Sequence, residues 1–193
     1  NGLVGSEMCI RDSQFVESIL STVMAPPNFP VKYDDVKARL IYEKACPQRF
    51  DIGSVVVTPI PTSHPNGGSG YKFEEDGKTC VFLTDNELGY LHPGGRKLKD
   101  YVEFAAGADL LIHDSEYTPE EYATFMEWGH SAYTDVLQMA REAGVKKLGL
   151  FHINPERADK QMEDMVDACR RYIAEQGLNI ECVGVAAGMK FEL

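Results

Sequence analysis

Residues 64–87 read HPNGGSGYKFEEDGKTCVFLTDNE. His64 to Gly70 is a loop of permissive backbone. Tyr71 to Glu74 and Thr79 to Thr84 then flank Glu75-Asp76-Gly77-Lys78, whose Asp-Gly pair is a strong hairpin signal. The second arm turns apolar at Val81 and ends on Asp85. Three other runs end in the same manner: Val55 to His64, Leu110 to Asp114 and Leu148 to His152. Ligands and reacting groups gather where the strands of an α/β sheet end, so buried strands that each deliver a His or Asp at their last residue predict one shared site. One such ending would mean little, because a lone His is more often a hydrogen-bonded core or surface residue. Four together point to an enzyme.

Outward from this stretch, Phe50 to Ser63 alternates as a strand, and Pro59 and Pro61 predict an edge position or an irregular path. Gln14 to Met24 reads as a short helix stopped by Pro26 and Pro27, and Asp34 to Lys44 as a helix-to-strand connection. In the other direction come a helix (Lys97 to Ala106), a buried strand (Asp109 to His113) and a second helix (Pro119 to Glu127). After Trp128-Gly129-His130, Ser131 reads as the N-cap of a helix running to Ala143, with Gly144 at its C′ position. Lys147 to His152 is a strand. Asp159 to Gln176 places Met162, Met165, Val166, Cys169, Tyr172 and Ile173 at spacings of three and four, a core-facing stripe rather than a cofactor box, and Ile180 to Val185 closes the sheet. Hairpins first and strand-helix alternation second predict a mixed, layered α/β domain.

The chain of 193 residues is long enough for one domain with a proper core and short for two. Its 44% hydrophobic and 25% charged residues are those of an ordinary soluble globular protein. No run approaches the roughly 20 apolar residues of a membrane span, so a cytoplasmic location is expected. Cys9, Cys46, Cys80, Cys169 and Cys182 are odd in number and widely spaced, which fits reduced thiols better than a disulfide framework or a CxxC zinc site. A net charge of −11 opposes a large nucleic-acid partner unless the cations cluster, whereas a small substrate feels only the local field of the site. Homo-oligomerisation is left open.

His64 and His152 can each offer an imidazole and Asp85 a carboxylate, donors that suit zinc, manganese or iron. The histidines at 64, 92, 113, 130 and 152 stand at least 17 residues apart, so there is no HxH or HxxxH chelate and spacing alone is a weak metal signal. Each candidate also has a plainer reading: Asp85 as turn chemistry, Asp114 as a loop acid or helix cap, His130 as packing beside Trp128. His113 points opposite to Asp114 on a continuing strand and reads as structural. His92, before Pro93-Gly94-Gly95, reads as an exposed loop residue.

The stretch at 64–87, followed by ADLLIHDSEY at 108–117 and WGHSAYTDVLQMAREAGVKKLGLFHINPERAD at 128–159, resembles the C-terminal part of the metallo-β-lactamase-fold hydrolases, in the ribonuclease Z-like and phosphodiesterase-like branch. The resemblance covers roughly residues 14–193 and implies a four-layer αββα sandwich, here partial, with two divalent metals, usually zinc, at the strand ends. It implies His64 on the first metal, Asp85 bridging both and His152 on the second. It also implies that His130, in its Gly-His-Ser setting, and Asp114 assist the leaving group while a metal-bridged hydroxide attacks phosphorus. The acid is more often Glu in ribonuclease Z itself, so Asp114 puts transfer-RNA processing in doubt. The favoured substrate is a small phosphodiester; a carboxylic ester, thioester or lactone is the alternative, and a metal-free binding or scaffold protein is the alternative of another class.

The family's His-x-His-x-Asp-His motif does not occur in this sequence. Residues 3–12, LVGSEMCIRD, resemble translated library adapter from metagenomic gene ends, the plainer reading being a disordered N-terminus. Residues 1–13 are therefore set apart from 14–193, which is expected to be the C-terminal part of a larger hydrolase domain. Such a fragment should bind metal weakly, leave apolar sheet surface uncovered, be poorly soluble and lack activity.

Overall fold

The computed structural model describes residues 13–37 and 48–193, which fall into two compact units, residues 1–48 and 49–193. In the first unit the expected helix is α1 (Ser13–Val23), ending shortly before Pro26 and Pro27, and a 3-10 turn spans Tyr33–Asp35. Residues 1–12, which carry the adapter-like string, and residues 38–47, which hold most of the expected connection, lie outside the described residues.

In the second unit seven strands form one sheet in chain order: β1 (Phe50–Ile52), β2 (Val55–Pro61), β3 (Ser69–Glu75), β4 (Lys78–Leu83), β5 (Leu110–Asp114), β6 (Lys147–Phe151) and β7 (Glu181–Gly184). β1 to β4 are antiparallel neighbours, and β4 to β7 are parallel, joined through α2 (Leu98–Phe104), then α3 (Pro119–Phe125) and α4 (Tyr133–Ala143), then α5 (Asp159–Glu175). The mixed α/β class read from the sequence is thus the observed one. Among the described residues no helix is long and apolar enough to cross a membrane.

The expected strand over residues 50–63 is two strands, because Gly53, at φ +63°, turns the chain between Ile52 and Val55. β2 lies between β1 and β3, not at the sheet's edge. Its prolines are tolerated because β1 pairs only with Val55 to Val57, so Pro59 and Pro61 have a partner strand on one side alone.

One face of the sheet carries the core. Val81, Leu83, Leu111, Leu148, Leu150 and Cys182 meet Val136, Met139, Ala140 and Ala143 of α4 and Val166, Cys169 and Ile173 of α5, all under 9% exposed. Met162 and Tyr172 are half-buried against this cluster, so the α5 stripe is packing, as its spacing implies. The registers Pro59↔Tyr71↔Phe82↔Ile112 put these side chains on the opposite face, where the Phe82 and Phe151 rings lie 5.7 Å apart.

Since β2 and β4 are both antiparallel to β3, they run the same way as β5 and β6, and all four C-terminal ends meet one edge. That edge is tied together by a buried histidine. His113 has no exposed surface; its Nδ1 donates to the Asp114 carbonyl at 2.7 Å, so its Nε2 accepts from Asn86 Nδ2 at 3.1 Å. Burial lowers its pKa, the nearby Asp114 charge opposing this only in part. The neutral form is the folded form, so His113 contributes stability that is fully present above the unfolded pKa of about 6.5 and is lost as pH falls toward the depressed folded value. Unfolding free energies from urea titrations between pH 7.5 and 5 should therefore fall by up to about 1.4 kcal/mol per pH unit, and His113→Gln should flatten that slope. An equally steep slope in the variant would assign the loss elsewhere.

Candidate functional site

Four loops at this edge bring the candidate residues together. Asp85 follows β4 with φ +57° and His152 follows β6 with φ +48°, both in the left-handed region that non-glycine residues seldom occupy. Asn86 fixes the first of these turns. Its N–H donates to Asp114 Oδ2 at 2.5 Å, its carbonyl accepts from Ser131 Oγ at 2.7 Å, and its Oδ1 accepts from Ser63 N–H at 2.8 Å. One buried asparagine thereby joins the residue before His64, the acid at the end of β5 and the residue after His130. Ser131 is spent on this link, its Oγ also accepting from Leu88 N–H at 3.0 Å. It is therefore not the N-cap of α4, whose cap position is Ala132.

The loop carrying His130 approaches His64 closely. Gly129 has φ +98°, and a Cβ there would lie 2.2 Å from His64 Cδ2 and 2.6 Å from Pro65 Cδ. Glycine is required twice over, for the dihedral and for the contact. The His64 and His130 rings meet edge to face at 5.6 Å, and the His130 and His152 rings stack at 4.7 Å and 14°.

Asp85, His130 and His152 each place one ligand atom within 4.8 Å of the others. His152 Nε2 is 3.2 Å from Asp85 Oδ1, an oxygen that makes no hydrogen bond. Two imidazoles and a carboxylate at this separation, with an unsatisfied carboxylate oxygen and an unsatisfied His130 Nδ1, fit a divalent ion of the zinc class. Of the residues expected to bind metal, Asp85 and His152 are in this group, and His64 stands beside it against His130. Asn66 N–H donates to His64 Nδ1 at 3.3 Å.

Asp114 is fully buried, with Oδ1 accepting from Ser131 N–H at 2.9 Å and Oδ2 from Asn86 N–H. His130 Nδ1 lies 3.6 Å from Asp114 Oδ2, beyond hydrogen-bond length, so the two meet through an electrostatic contact. Glu116 is the acid that the sequence reading missed. Its Oε2 is 3.5 Å from His130 Nε2 and 3.5 Å from His152 Nδ1. Burial lowers the His130 pKa, but Asp114, Glu116 and Asp85 outweigh it and the net shift is upward. His64 is shifted the other way, chiefly by burial.

The second missed residue is Glu87, 1% exposed and bonded to His92 Nε2 at 2.7 Å. His92 is accordingly buried, 5% exposed, and not the exposed loop residue its Pro-Gly-Gly context suggested. Arg157 fastens the loop after His152 to the Glu116 segment, its Nη2 donating to the Glu116 carbonyl at 2.9 Å and to Glu121 Oε2 at 2.6 Å.

Comparison with known proteins matches residues 15–153 to a family profile described as "Beta-lactamase superfamily domain". A ribonuclease Z of Brevibacillus brevis is 41% identical over 96 residues, covering 48% of this chain and 27% of that protein. A ribonuclease Z of Haloferax volcanii is 31% identical over 111 residues, covering 54% of this chain and 32% of that protein. The chain thus spans a minor part of these relatives' length. Among solved structures, the metallo-beta-lactamase fold protein YhfI from Bacillus subtilis superposes with a TM-score of 0.57 at 19% identity, over 74% of this chain and 51% of that one. The short form of human tRNase Z superposes with a TM-score of 0.50 at 20% identity, over 74% and 46%. With the profile covering most of its length and the strand-end site lying on the fold these structures share, the chain belongs to the beta-lactamase superfamily and has the metallo-β-lactamase fold.

Proposed function

We propose that residues 14–193 are the C-terminal part of a metal-dependent phosphodiester hydrolase, a reading carried by the convergence of Asp85, His130 and His152 at the strand ends. Asp85 and His152 would hold metal together with His64, and the absent His-x-His-x-Asp-His motif would supply further ligands. Bound divalent ions would contribute Lewis acidity and an activated water at neutral pH. His130 would then donate a proton to the departing oxygen. His130 stands close enough to ligate as well, but Asp114 and Glu116 flank its ring at 3.6 and 3.5 Å, and on that placement we assign it the acid role. The name ribonuclease Z borne by the relatives puts an RNA phosphodiester beside the small phosphodiester as a candidate substrate, against the charge of −11.

The test compares this chain with a longer one read from the DNA upstream of Ser13. The longer chain should bind about two metals, zinc before manganese or iron, and cleave a phosphodiester dye. The short chain should bind metal weakly and be inactive. His130→Gln in the longer chain should keep the metal and lose about 100-fold or more in rate, whereas His152→Gln should lose metal. Cleavage of a thioester in place of the dye would favour the carbonyl reading, and an RNA oligonucleotide in the same assay separates the two phosphodiester classes. A genuine start codon near Gln14, with no metal bound by the well-folded product, would favour a scaffold.

A further inference from the structure

Glu87 is the most heavily bonded carboxylate among the described residues, and its partners converge from every side of the site. Oε1 accepts from Tyr122 Oη at 2.7 Å and from Glu127 N–H at 2.8 Å. Oε2 accepts from His92 Nε2 at 2.7 Å and from Gly129 N–H at 2.8 Å. Glu127 and Gly129 have φ +74° and +98°, so the chain on either side of Trp128 is bent into the left-handed region with both amides turned onto one anion. The bend at Glu127 is costly for a residue with a side chain, and charge-assisted hydrogen bonds to a buried carboxylate are the kind that can hold it. The main chain of Glu87 is engaged as well, its N–H donating to the Ser63 carbonyl at 2.8 Å. One residue therefore touches Ser63 beside His64, touches Gly129 beside His130, and stands two positions after Asp85.

We propose that Glu87 is the positioning residue for His130, fixing it against His64 and above Asp85 through the amides of Glu127 and Gly129; the inference takes His130 as part of the site proposed above. Glu87→Gln is nearly isosteric, but its amide nitrogen cannot accept. Whichever way that amide is turned, one of the two main-chain N–H groups loses its acceptor. Tyr122→Phe is the control, since it removes a donor from the carboxylate and leaves both main-chain bonds in place.

Two measurements on the metal-free chain read the position directly. Histidine side-chain NMR reports the ring-current shifts of His130 and His152, stacked at 4.7 Å. Fluorescence anisotropy of Trp128, the single tryptophan, reports the mobility of the segment between the two held amides. Glu87→Gln should shift the His130 and His64 resonances toward free-histidine values and lower the residual anisotropy on the order of twofold, while Tyr122→Phe, though less stable, keeps both signals. Should Glu87→Gln not fold, Glu87→Asp withdraws the acceptor by one methylene and is read in the same way. Unchanged histidine signals in the folded Glu87 variant, or the same shift in Tyr122→Phe, would overturn the proposal. Neither readout involves hydrolysis, so an inactive longer chain would count against the hydrolase reading and leave this one standing.

Discussion

Gly129→Ala should cost about 2–6 kcal/mol, the sum of a strained dihedral and an overpacked contact, each worth on the order of 1–3 kcal/mol. The backbone at φ +98° is one that L-residues rarely adopt, and the added methyl would sit 2.2 Å from His64 Cδ2 and 2.6 Å from the ring of Pro65. A proline ring cannot swing aside as a long side chain can, so relief requires one loop to back away from the other. His64 and His130 would separate as a result. Gly107→Ala is the matched reference: φ is +68° there too, but nothing lies within 4 Å of the added carbon, so only the left-handed cost of about 1–2 kcal/mol applies. Urea midpoints of the two variants make the comparison, and a Gly129 variant no worse than the Gly107 one would mean the loops do not meet as described.

Asp114→Ala should destabilise by a similar amount, about 2–6 kcal/mol, because two main-chain N–H groups, those of Asn86 and Ser131, lose their acceptor and each orphaned donor costs about 1–3 kcal/mol. Both residues are fully buried, so water cannot replace the carboxylate without opening the edge. An acid whose whole role was catalytic would leave the urea midpoint where it was. Asp114→Asn should fall between, since its remaining oxygen can serve one of the two amides. If Asp114→Ala left stability within about 0.5 kcal/mol of the parent, the bracing role assigned to this acid would be wrong.

The strand ends were legible in the sequence because their signal is local. An apolar run that stops at Asp85, Asp114 or His152 can be read without knowing what lies across the sheet, and the parallel half of the sheet then brings those ends to one edge. Glu87 and Glu116 were not legible for the opposite reason. In TDNE and HDSEY they look like solvent-facing charge, and only partners far along the chain show otherwise: Tyr122 and the amides of Glu127 and Gly129 draw Glu87 into the interior, and two histidines flank the half-buried Glu116. His92 failed with Glu87, since its burial depends on that carboxylate. Ser131 was misjudged by a rule that is sound for isolated helices: a hydroxyl at a helix start caps it unless a stronger claim exists, and the Asn86 carbonyl has one. The split of residues 50–63 into β1 and β2 turned on Gly53, a lone glycine in an alternating stretch, which sequence alone reads as a bulge as readily as a turn.

Asp85 and His152 share one more property, the left-handed backbone at φ +57° and +48°. Glycine would adopt that conformation without penalty, and asparagine with little; an aspartate and a histidine give up on the order of 1 kcal/mol apiece to stand there. A redesign guided by thermal stability alone would therefore select these two positions early, replace both side chains, and report an improved protein. What it returned would be a sturdier sheet with its proposed metal-holding edge erased, so melting temperature is the wrong objective for anyone engineering this fold, and the two strained positions are the first that should be held fixed.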